Sequence, residues 1–408
     1  MSSRLPAPAF GAREATPELA LLLCCARRTM DAVTGGRIGE IVRTGVDPAA
    51  LLRGAERHRL IPLLHRHLGP HAALLPAELS AELRARATSA AAEALRKAGD
   101  LHRLLGWLRD GGVKALAYKG PALAVEAYGD VGLRSLSDLD LLAAPADVPR
   151  ALDVLRAHGY VPTHPLTPAR EAAFRRTDGD YPLVHRETGA LVELHAHLSS
   201  MRFGVALPTE SVISRARPVR VGGADVLVPA ADDLLLALAL HGAKHRWSRL
   251  EWVASFAELV RAHPAGAVVA LGRAPGLGMQ RVLTLGFALA ERLLAAPLPF
   301  HASAAVAADR ASTALVGAIA TRMDTFSEDG DGEAEEDDAA ANLLFNLRLQ
   351  DGLRGQGEYA WRWATHSTPE DWAALPLPDA LFPLYRAARP VRLLARYGPR
   401  VLRRRKKR

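Results

Sequence analysis

The segment RSLSDLDLLAA, residues 134–144, constrains this chain more than any other stretch. Polar and apolar residues alternate along it, with Leu139 and Leu141 on one side and Asp138 and Asp140 on the other. A period of two belongs to a strand, where residues i and i+2 point the same way. Two carboxylates brought to one point repel each other unless a cation neutralises them. The pattern therefore asks for a sheet at this position and for positive charge at one of its faces.

The flanking sequence supplies partners for such a strand. VKALAY (113–118) is a short apolar run after Gly111-Gly112; it ends in Lys119-Gly120, and Pro121 opens a helix that runs through Tyr128. A second helix is expected from Asp147 to His158, stopping at Gly159 in a left-handed cap. GALVELHAHL (189–198) alternates again, with Val192, Leu194 and Ala196 opposed to Glu193, His195 and His197. This order of strands and helices describes an α+β core with a mixed sheet at 109–225.

Helical regions are expected on both sides of that core. Residues 1–108 read as helices after a Pro- and Ala-rich start of about a dozen residues expected to be disordered, and Asp47-Pro48 marks one helix beginning. Residues 226–322 read as a helical domain, in which Leu250, Val253, Ala257 and Val260 fall along one stripe. An acidic flexible loop is expected at 323–340, where residues 328–338 hold eight acids in eleven positions. The last part, 341–408, reads as a helical segment with Trp361, Trp363 and Trp372, expected as core anchors, and a basic tail.

Charge bears on partners. The formal net charge is +8, but residues 400–408 alone contribute seven basic side chains, so the remainder is close to neutral at +1. Polyanion binding rests mainly on phosphate neutralisation, so a large RNA footprint on the body is not favoured, although RNA stays open as an acceptor. The tail itself reads as a solvated end, an RNA contact or a weak contact with an anionic membrane. Cys24 and Cys25 read as small buried hydrophobes in a reducing compartment. No secretory signal and no transmembrane segment are recognisable, which makes the cytoplasm the expected location.

Oxygen-only ligands such as Asp138 and Asp140 suit a hard ion, magnesium or manganese, rather than zinc. Glu193 from another strand would complete a two-metal arrangement for phosphoryl transfer. Gly120 ahead of a helix N-terminus lets the backbone approach a triphosphate, and Lys119 and Arg134 would neutralise its charge.

Together, YKGPALAVEAYGDVGLRSLSDLDLLAAPADVPRALDVLRAHGY, the following LVELHAHL and HGAKHRWSRLEWVASFAELV resemble the bacterial family of uncharacterised nucleotidyltransferases, in the polymerase-beta-like superfamily. The resemblance covers roughly residues 100–262. It implies a nucleotidyltransferase fold and magnesium-dependent transfer of NMP from an NTP such as ATP, with Asp138, Asp140 and Glu193 as metal ligands and catalytic carboxylates. The acceptor it leaves open: a small molecule, a peptide or protein, or a tRNA end. A non-catalytic protein that keeps the fold and binds a nucleotide or partner is the competing reading.

Two departures stand out. The superfamily's Gly-Ser phosphate motif is Lys119-Gly120 here, and Ser255 stands where relatives often carry an acid. Four histidines also ask for a role. His195 shares the face of Glu193, and His241, Lys244 and His245 are expected to line the nucleotide cleft from the helical domain. A zinc site from His195, His197, His241 and His245 would need strand and helix to meet. Amide variants of the two aspartates are expected to cost rate without harming folding, because two uncompensated carboxylates repel each other.

Overall fold

Five short strands form one mixed sheet: β1 (Ala115–Ala117), β2 (Leu139–Ala143), β3 (Tyr160–Pro162), β4 (Asp180–His185) and β5 (Leu191–His195). Their spatial order is β1-β2-β5-β4-β3. The central pair β2 and β5 is parallel and the other pairings are antiparallel. This computed structural model describes residues 15–164, 166–177, 179–198, 203–205, 207–324 and 339–394. The expected disordered start, most of the acidic loop and the basic tail lie outside the described residues.

Both faces of the sheet are covered, which is why β2 is buried along its whole length. On one face Leu139, Leu141, Leu183, Val192 and Leu194 pack against Leu101, Leu104 and Leu108 of α5 (Ala77–Asp110). Ala151, Leu152 and Leu155 of α7 (Val148–Ala157) close the same layer. On the other face Leu116 and Leu142 join a larger core. That core also takes residues from α1 (Pro17–Cys25), α10 (Ala231–Lys244), α11 (Leu250–Ala262) and α13 (Gln280–Leu294). N-terminal helices and helices beyond the sheet thus share one apolar interior.

The α+β reading with a mixed sheet holds, and so do several local expectations. Asp47 caps α3 (Pro48–Arg57), accepting from the N–H groups of Ala49 and Ala50. Gly159 follows α7 with φ at +88°. Cys24 and Cys25 are buried free thiols. Trp372 is buried, as expected of a core anchor, whereas Trp361 is 70% exposed. No helix among the described residues is long and apolar enough to cross a membrane.

The strands differ from the sequence reading in length and number. β2 begins only at Leu139, because Ser137 just before it is held by other parts of the chain: Lys97 of α5 donates to the Ser137 carbonyl at 2.8 Å, and Arg59 donates to the Ser137 hydroxyl at 2.9 Å. β3, α8 (Pro168–Thr177) and β4 carry no strong period. In β4 the inward pair Tyr181 and Leu183 is masked by Pro182 and by polar residues at both ends. A hairpin of β6 (Arg217–Val221) and β7 (Ala224–Val228) turns at Gly222-Gly223, both at positive φ.

Candidate functional site

The register of the sheet assembles the site. Asp140 stands directly opposite Glu193 across the parallel β2–β5 pair, and Asp180 of β4 stands opposite His195 of β5. Glu193 and His195 are two residues apart, so the alternation of strand side chains sends Asp140, Glu193, His195 and Asp180 to one face. Among the described residues, Asp140, Glu193 and His195 form a group whose donor atoms all lie within 4.8 Å of one another, a spacing that fits one metal ion. Asp138 stands outside this group, one residue before β2; it lines the same cleft, and the Ser137 hydroxyl donates to its Oδ1 at 2.8 Å.

The positive charge demanded by the aspartates comes from the chain itself. Lys119, at the N-cap of α6 (Gly120–Tyr128), donates from Nζ to Asp140 Oδ1 at 2.8 Å. His195 Nδ1 lies 2.8 Å from Asp180 Oδ1, while its Nε2 lies 3.2 Å from Asp140 Oδ1 and 3.3 Å from Glu193 Oε2. Burial alone would favour neutral imidazole, but Asp180, Asp140 and Glu193 outweigh it and hold the His195 pKa well above its ordinary value. Burial likewise opposes the charged form of Asp140, yet Lys119 and His195 keep its carboxyl far below the usual carboxylate range. The Lys119 ammonium is desolvated too, and Asp140 with Glu193 and Asp138 more than offsets this. Asp140 is therefore compensated, contrary to the expectation that its amide variant would fold unharmed.

Gly120 takes φ of +58° at the start of α6, with the Asp138 carbonyl 3.5 Å from where a Cβ would stand. Only glycine enters that conformation at little cost, so the turn from β1 into α6 depends on it.

The helical side of the cleft is built by α10 and the start of α11. His241, Lys244 and His245 line it, with Arg249 and Trp252 beside them. Lys244 reaches across to the sheet, its Nζ 3.5 Å from Asp180 Oδ2. The rings of His241, His245 and Trp252 lie 4.8 to 5.2 Å apart, and Arg249 covers Trp252 at 5.4 Å. Burial, then Lys244 and Lys119, pushes His245 down to about 3; burial, then Lys119, holds His241 well below its usual value. Both imidazoles are neutral at pH 7. Arg134 lines the cleft as well, but its guanidinium pairs with the buried Glu251 at 2.5 Å.

The four histidines do not come together around a zinc ion. His197 turns its Nε2 to the Arg175 carbonyl at 3.0 Å, and the metal-sized group contains only His195 among them. Ser255 lies within α11, buried against Tyr128, whose hydroxyl is 3.3 Å from its Oγ. Sequence reasoning missed Asp180, Arg59, Arg249 and Trp252. The alternation of Tyr181 and Leu183 was the one signal available for Asp180, and it is short.

The finished cleft holds about 270 Å³ and is lined by four carboxylates, Asp138, Asp140, Asp180 and Glu193, and by the cations Arg59, Lys119, Arg134, Lys244 and Arg249, of which Lys244 and Arg249 come from the helical side. Carboxylates beside cations in one cleft are what a divalent cation bound to a polyphosphate complements. A family model described as uncharacterised nucleotidyltransferase matches residues 44–295, a span that includes every one of these residues. No curated protein matches the chain.

Proposed function

The chain belongs to the family of uncharacterised nucleotidyltransferases, and from that premise we propose that it moves a nucleoside monophosphate from an NTP to an acceptor bound in this cleft. The observation that supports the reading best is the in-register pair Asp140 and Glu193, with His195, inside one metal-sized space. Carboxylate oxygens fit magnesium or manganese, so Asp140 and Glu193, with Asp138 at the edge, are the residues that would hold the ion. Such an ion supplies Lewis-acid stabilisation of charge on the phosphates.

The remaining roles belong to the chain's own side chains. Lys244, Arg249 and Arg59 line the cleft where a triphosphate would lie, and their charge would orient it and neutralise the departing pyrophosphate. In the transfer, a nucleophilic atom of the acceptor bonds to the α-phosphorus and the bond from that phosphorus to the pyrophosphate oxygen breaks. The acceptor's proton passes to a cleft carboxylate, for which Glu193 is the candidate. Asp180 holds His195 in place through Nδ1. The acceptor is a small molecule, a peptide or protein, or a tRNA end, met in the cytoplasm where NTPs are supplied.

The test is incubation with magnesium and each of labelled ATP, CTP, GTP and UTP, with host lysate as the source of acceptor. Pyrophosphate release and one labelled product are expected, both lost in Glu193→Gln. Tight NTP binding with no pyrophosphate across a broad acceptor screen would replace the transferase with a binding protein of the same fold.

A further inference from the structure

We propose that Lys119 is a built-in counter-ion that guards Asp140 until a divalent cation arrives, and is then released to the phosphates of the NTP. This rests on the metal reading given above. Lys119 Nζ sits 2.8 Å from Asp140 Oδ1, with the lysine side chain 12% exposed and the aspartate 3%. A buried carboxylate needs compensating charge, so in the absence of metal this contact, together with that of His195 Nε2 at 3.2 Å, keeps the site assembled. An ion taken up by Asp140 and Glu193 would place a second, stronger cation on the same carboxylate, and the two would repel.

The released ammonium has one obvious destination. It stands at the N-cap of α6, where backbone N–H groups already favour an anion, and the cleft opens toward the cations of α10 and α11. A polyphosphate is the anion that would arrive with the metal. The exchange makes metal and NTP binding reinforce each other, since each favours the state with Lys119 away from Asp140. The same sequence feature that departs from the superfamily's Gly-Ser motif, Lys119-Gly120, is what builds the device.

Manganese binding without nucleotide, followed by electron paramagnetic resonance and calorimetry, tests it in the wild type, Lys119→Met and Asp140→Asn. Lys119→Met is expected to bind manganese more tightly than wild type, on the order of tenfold. Its NTP affinity should fall when manganese is present and change little when the metal is chelated. Should Lys119→Met melt too early, Lys119→Gln takes its place, and manganese should raise its melting temperature more than that of the wild type. Manganese binding by the lysine variants no tighter than wild type, together with loss of binding in Asp140→Asn, overturns the proposal while leaving the metal reading standing. Equal manganese affinity in wild type and Asp140→Asn removes the metal reading, and the role of Lys119 with it.

Discussion

Asp140 and Asp138 are two residues apart in sequence and have different surroundings. Asp140 is buried between Lys119 and His195, whereas Asp138 sits at the cleft edge against Ser137. Asp140→Asn is expected to lower the rate of pyrophosphate release by roughly 100-fold or more. It should also cost a few kcal/mol of stability, because two buried cations lose their shared carboxylate. Asp138→Asn should lower the rate with little change in melting temperature, since the Ser137 hydroxyl can donate to the asparagine Oδ1 as it does to the carboxylate. Kinetics beside thermal melts separate the two, and an Asp138→Asn enzyme at wild-type rate would remove Asp138 from the metal site.

Between elements, His58 ties the N-terminal helices to the wall of the cleft. It follows α3, and its Nδ1 accepts the N–H of Leu250, the first residue of α11, at 3.1 Å. Burial, reinforced by Arg57, pushes its pKa down to about 4. Below about 6.5 the unfolded chain takes up a proton that the folded chain refuses, so stability present above 6.5 is lost as pH falls toward 4. That loss reaches up to roughly 3 kcal/mol from this group alone. His245, held near 3, adds to the same slope. His58→Asn keeps an acceptor for Leu250 and should flatten part of the pH dependence in urea denaturation between pH 6.5 and 4; an unchanged slope would place the acid sensitivity elsewhere. Gly242 has a different constraint: a Cβ there would stand 2.4 Å from the ring of Trp247, which is fully buried. Gly242→Ala should therefore destabilise α10 against its following turn by about 1–3 kcal/mol, read from the urea midpoint.

At the scale of the molecule, the cleft lies where a carboxylate-bearing sheet faces a cationic helical wall, and Lys244 to Asp180 is a direct contact between them. A ligand that bridges the two should stabilise the whole folded state by mass action. Magnesium with an NTP is expected to raise the melting temperature by several degrees at saturating concentration. The rise should shrink sharply in Asp140→Asn. A rise of equal size in that variant would mean that the nucleotide binds without the sheet carboxylates.

What the sequence determined by itself is local and periodic. The alternation of residues 134–144 and 189–198 was enough to put Asp140 and Glu193 on sheet faces, the helical spacing put His241 and Lys244 on one helix with His245 at its end, and Lys119-Gly120 marked the turn between β1 and α6. Each of these follows from repeat lengths set by backbone geometry. Only the tertiary structure decided which charges meet. That β2 and β5 pair in parallel with Asp140 against Glu193, that β4 brings Asp180 to His195, and that Arg134 turns to Glu251 are matters of register and packing between segments far apart in the chain. A short strand such as β4 carries too few alternating positions to announce itself, and a side chain's partner depends on what the fold packs across from it.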